Sequence, residues 1–144
     1  MPQSWKYAAS LLLCVALAGC SGSAAPALGL VKGQVTVDGQ PGADLQVVFE
    51  PQSTEGKSEV GMTSAARTDP AGNFELLYNG GPTKGAVVGP HVVRITSITG
   101  GGPAGGEAAA AGKPIPPTYN TESKRVETVK AGEQTLAPIA IVTQ

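Results

Sequence analysis

The chain has 144 residues, ten Lys/Arg against eleven Asp/Glu, and a formal charge of −1. That length suits one domain, and the near-neutral balance gives no electrostatic footprint for nucleic acid. The 4% aromatic content leaves no base-stacking platform, while twenty glycines and twelve prolines favour strands, turns and loops over helices.

At the N-terminus Lys6 supplies a short positive segment, and residues 8–18 form an apolar run interrupted only by Ser10. The run has the length of the apolar region of a secretory signal, about 7–15 residues. It is too short to span a bilayer, which takes about 20. Small residues then lead to Cys20, and Ser21-Gly22-Ser23 ends the apolar pattern. Residues 1–19 are therefore expected to form a signal helix that is removed on export, taking with them Lys6 and no acid.

Leu17-Ala18-Gly19-Cys20 resembles the lipobox of bacterial lipoproteins. The resemblance implies that the Cys20 thiol receives a diacylglycerol, that cleavage falls just before it, and that the new amino group is acylated. Small residues at Ala18 and Gly19 would let the backbone enter a peptidase cleft. One acyl chain holds a protein marginally and two or more hold it stably, so Cys20 would keep the chain on a membrane. In such lipoproteins an aspartate after the cysteine retains the protein at the inner membrane. Ser21 stands here, and the expected location is the cell envelope, at the outer membrane where there are two. The alternative is an ordinary secretory signal with an incidental cysteine. Cys14 leaves with the signal, so no cysteine pair remains for a disulfide, although the compartment would permit one.

Residues 20–30 read as the lipidated cysteine and a Ser/Ala/Gly/Pro tether, whose root-mean-square span is roughly 16–19 Å. The folded domain is placed at residues 31–144. Val31, Gly33, Val35 and Val37 share one parity and Lys32, Gln34 and Thr36 the other, the alternation of a half-buried strand. Asp38-Gly39 predicts a tight hairpin turn. Leu45, Val47 and Phe49 face inward in a second strand that Pro51 ends. Residues 52–59 read as a polar loop and residues 61–68 as a weaker strand. Asp69-Pro70-Ala71-Gly72 has type I turn chemistry, after which Phe74 and Leu76 point inward. A glycine-rich loop over residues 79–85 leads to a strand at 90–98, with His91, Val93 and Ile95 on one face. Residues 99–113 form a Gly/Ala insertion with little to bury, followed by a stiff Pro-rich stretch and by Tyr119, whose ring can cap the core. Residues 125–129 and 135–142 supply the last strands, joined around Ala131-Gly132. About seven short strands over roughly 110 residues predict an all-β fold, a single β-sandwich.

Five stretches, in order, are similar to one family. They are Val31-Lys32-Gly33-Gln34-Val35-Thr36-Val37-Asp38-Gly39, Val47-Val48-Phe49-Glu50-Pro51, Thr68-Asp69-Pro70-Ala71-Gly72-Asn73-Phe74, Gly85-Ala86-Val87-Val88-Gly89-Pro90-His91-Val92-Val93-Arg94-Ile95, and Pro116-Pro117-Thr118-Tyr119-Asn120 with Ser123. Together they resemble the carboxypeptidase regulatory-like domain, a transthyretin-like β-sandwich common in small bacterial envelope lipoproteins. His91 departs from the pattern, standing where an aromatic residue is usual, and Arg125 stands where a leucine-like residue is expected. The resemblance implies a non-catalytic accessory module.

The residues point the same way. A hydrolytic or metal site needs a cluster of His, Cys, Asp or Glu, and the chain has one histidine and two cysteines. Hydroxyisourate hydrolases and intradiol dioxygenases share the fold, but their histidine sets cannot be assembled from His91 alone. Asp69 lies in a turn without the alternating oxygen ligands of a calcium loop. Gly100-Gly101-Gly102 is followed by no Lys-Ser/Thr pair that would make a phosphate cradle. Catalytic residues, metal ligands and cofactors are therefore expected to be none.

The chain is read as a membrane-anchored, non-catalytic structural or protein-interaction module, with the membrane (through Cys20) and an envelope protein as partners. The alternative is a carbohydrate- or peptide-binding domain, for which Tyr78 and Tyr119 are the outward aromatic candidates and an envelope glycan the ligand.

Overall fold

The computed structural model describes residues 25–54, 60–98 and 114–143. The signal segment with Leu17, Ala18, Gly19 and Cys20, part of the polar loop, and the Gly/Ala insertion lie outside them. The described residues form β1 (Leu28–Val37), β2 (Gln40–Pro41), β3 (Leu45–Pro51), β4 (Ser64–Arg67), β5 (Asn73–Glu75), β6 (Leu77–Tyr78), β7 (Ala86–Val87), β8 (Gly89–Ser97), a 3₁₀ turn (Pro117–Tyr119), β9 (Val126–Val129), β10 (Gly132–Thr135) and β11 (Ile139–Ile141). They make two sheets, one of six strands built around β1 and one of five in the order β6-β4-β3-β8-β9. The protein is an all-β sandwich.

The alternation of β1 explains its central place. Val31 and Val35 are fully buried between the sheets. Gly33 shares their face, and the Phe74 ring lies over it: a Cβ there would stand 2.6 Å from Phe74 Cζ. The backbone of β1 is used on both edges. Toward one edge Val35 N donates to Gly72 O, Gly42 N to Val35 O and Leu76 N to Val31 O, at 2.8–3.0 Å; β2, β5 and β7 run antiparallel there. On the other edge β10 and β11 run parallel, pairing Gly29 to Lys32 with Gly132 to Thr135 and Val35 to Val37 with Ile139 to Ile141.

The second sheet is antiparallel throughout, with β3 against β8 over seven residue pairs. Leu45, Val47, Phe49, Ala66, Val93, Ile95 and Val129 meet Val31, Val35, Phe74, Leu76, Ile139 and Ile141 in one core. Tyr119 packs against that core, and its hydroxyl accepts a hydrogen bond from Val142 N at 3.3 Å.

Four details differ from the sequence reading. β1 begins at Leu28, inside the stretch read as tether. Leu28 and Gly29 pair with Val87 and Ala86, and glycine at position 29 carries no hydrophobic signal, although a Cβ there would fall 2.0 Å from Lys130 O. The Asp38-Gly39 turn has positive φ at both residues, 49° and 80°, as a type I′ hairpin needs. The returning strand is only β2, however, and the next long strand, β3, belongs to the opposite sheet. Residues 135–142 are not one strand: β10 starts at Gly132, and Pro138, lacking an N–H, lies in the break before β11. Finally, the Lys130-Ala131 junction joins β9 in one sheet to β10 in the other.

Candidate functional site

His91 is the one histidine, and β8 points it inward in line with Val93 and Ile95. It is fully buried. Its Nδ1 lies 3.0 Å from Gly89 O. A carbonyl only accepts, so Nδ1 carries the proton and Nε2 is the bare acceptor. Nε2 is buried without a hydrogen-bond partner among the described residues, and the ring packs with its centroid 5.9 Å from that of Phe49. Burial pushes its pKa below the ordinary 6.5, with the Gly89 contact opposing. This is a neutral imidazole filling core volume beside Phe49.

Asp69 serves its turn. Gly72 N donates to Asp69 O at 2.8 Å, closing the type I turn. Asp69 Oδ1 accepts from Ala71 N and Asn73 N at 2.9 and 2.8 Å. These bonds, Asn73 N first, hold the carboxyl below its ordinary pKa. Among the described residues no group of three or more His, Cys, Asp or Glu is placed to hold a metal.

The two outward aromatic candidates are engaged in the fold. Tyr78 is half-buried in β6, and its hydroxyl accepts from Met62 N at 3.2 Å. Tyr119 lies on the core, as described above. Neither is placed as a free flat platform for a sugar.

The clefts among the described residues include two of similar volume. One, of about 810 Å³, lies along the outer face of the β1 sheet and is lined by Lys32, Arg67, Glu75 and Leu136 among others. Its charges are paired with neighbours: Lys32 with Glu133 at 2.5 Å, Arg67 with Asp44 at 2.7 Å, and Glu75 with Lys84 at 2.9 Å. The hydrogen bond and charge of Glu133 raise the Lys32 pKa, and Lys32 lowers that of Glu133. The other cleft, of about 830 Å³, opens at the end of the sandwich where β1 begins, and its lining includes Pro26, Pro51, Met62, Tyr78, Val87 and His91. Its lining is mainly apolar, and Met62 is 52% exposed.

Sequence reasoning did not find the second cleft, because it is assembled from the ends of separate strands. It also missed the clamp made by Arg94. That side chain bonds Glu50 Oε2 at 2.8 Å and the carbonyls of Asn120 and Thr121 at 2.6 and 3.0 Å, fixing the segment after the 3₁₀ turn to β8. An arginine on the outer parity of a strand gives no hint of a partner 26 residues away.

No family model matches the chain, and no curated protein matches it. Among solved structures, a DUF3823 family protein from Parabacteroides merdae is similar at 17% identity with a TM-score of 0.34, over 81% of this chain and 46% of that one. The chain thus spans less than half the length of that protein.

Proposed function

We propose that this chain is a lipid-anchored lipoprotein of the bacterial cell envelope, with a carboxypeptidase regulatory-like, transthyretin-like sandwich as a non-catalytic structural or protein-interaction module. The observation that carries the reading is the junction between the lipobox segment and the fold. Ala27 O already accepts from Val88 N at 2.9 Å, and the next residue enters β1, the strand around which one sheet is built. The stretch from Cys20 to Ala27 reaches at most about 25 Å when fully extended. An anchor at Cys20 would hold the sandwich near the bilayer and couple it to the centre of a sheet. His91 borders the end cleft but exposes no surface, and burial lowers its pKa; this supports the non-catalytic half of the reading, since an acid–base residue must reach its substrate.

Crosslinking in intact cells tests the role. An interaction module is expected to yield one specific envelope protein reproducibly with crosslinkers of different reach. Recovery of a free monomer with all of them counts against it. Saturable binding in a panel of glycans and peptidoglycan fragments would favour the carbohydrate alternative, for which flat curves are expected.

A further inference from the structure

The first and last strands of the sandwich are neighbours, and they run in the same direction. β1 pairs with β10 from Gly29 to Lys32 and with β11 from Val35 to Val37. The gap between these runs is crossed by the bond from Leu136 N to Lys32 O, and beyond it Asp38 N donates to Ile141 O, both at 2.8 Å. Side chains brace the seam within its first run and at its far end. Lys32 bonds Glu133 at 2.5 Å, while Thr143 N and Oγ1 donate to the Asp38 carboxylate at 2.8 and 2.5 Å. The inward residues of both partners, Val31, Val35, Ile139 and Ile141, are at most 1% exposed, so the seam is backed by packed core along its length.

The parallel direction has a mechanical consequence. The chain from Cys20 enters the seam at Leu28, and the C-terminal residues leave it beyond Ile141, at the opposite end. Pulling these two points apart drags β1 and the β10–β11 segment past each other along their common axis. All the seam's hydrogen bonds then stretch together, and none can break alone. Had the two segments been antiparallel, the same pull would have opened the seam from one end, bond after bond.

We propose that this seam is a shear clamp, and that the domain carries tension between its anchored N-terminal end and whatever holds its C-terminal strand. The proposal rests on the anchoring reading for the source of the tension, but not for the strength of the seam. Forced rupture reports the unfolding barrier along the pulled direction, so the direction of pulling can be varied in one protein.

The test uses the full chain produced without lipidation, with Cys14→Ser so that Cys20 is a single thiol handle. In one form the second handle is Gln144→Cys, which loads the seam in shear. In the other it is Ala131→Cys, beside the Gly29–Gly132 pair, which peels the seam from that end. Circular dichroism and matched melting temperatures check that both forms are folded. The expected result is a rupture force several-fold higher for the Cys20–144 pull than for the Cys20–131 pull. Equal forces, or a weaker 144 pull, overturn the clamp. Because neither handle form is acylated, a failure of lipid attachment at Cys20 in cells would leave this comparison unchanged and would remove only the anchoring reading.

Discussion

His91 and Gly33 show how single positions are tied to the packing around them. His91→Phe removes the unpartnered Nε2 and keeps a ring beside Phe49, so stability is expected to stay within about 1.5 kcal/mol of the parent, the range of volume-conserving swaps. His91→Ala leaves a cavity and is expected to cost about 3 kcal/mol; urea unfolding distinguishes the two. The imidazole also sets a pH dependence. Its folded pKa lies below the ordinary 6.5, so the unfolded chain binds the proton more readily. The stability His91 contributes is complete above about pH 6.5 and is lost as pH falls from there toward the depressed folded value. The His91→Phe variant is expected to lose this slope between pH 7 and the mildly acidic range. An unchanged slope would mean that the ring is not buried as described. At Gly33 the constraint is space. An added methyl group meets the Phe74 ring, and Gly33→Ala is expected to destabilise by about 1–3 kcal/mol, as overpacking does, which the same urea titration measures.

At the scale of elements, legibility follows the length of the pattern. β1, β3 and β8 alternate over enough residues for their inward faces to be read from the sequence, and those faces are buried as expected except at Val37, which is half-buried at the end of β1. The turn at Asp69 is legible because its residues have one chemistry in common: a carboxylate that bonds the backbone, a proline that presets φ, and a glycine, Gly72, at φ 79°. β2, β6 and β7 have two residues each and carry no period. The split of the C-terminal strand at Pro138 depends on pairing with β1, a contact distant in sequence. The Asp69 turn also makes a prediction of its own. Its carboxyl is held below the ordinary value of 3.8, so its contribution is present above that value and disappears as pH falls through the lower folded pKa. The melting temperature of Asp69→Ala should lie below that of the parent at pH 7, and the gap should close in strong acid. A gap that persists unchanged at the lowest pH would assign the effect to the turn's shape and not to its charge.

For the whole molecule, the all-β sandwich was legible because strands and turn signals recur along the chain. Its candidate surfaces were not, since the end cleft and the β1–β10–β11 seam each bring together segments distant in the sequence. One sheet of the sandwich is built around its first strand, and the proposed function adds an anchor at Cys20, a short reach before that strand. The anchor is tested most directly by labelling cells with a fatty-acid probe and measuring the mass of the N-terminal peptide in the parent and in Cys20→Ala. The account predicts a parent peptide that begins at Cys20 and carries acyl mass, and a Cys20→Ala protein with no label that is released or left unprocessed. Label incorporation unchanged in Cys20→Ala, or a parent N-terminus elsewhere with no acyl mass, would contradict it.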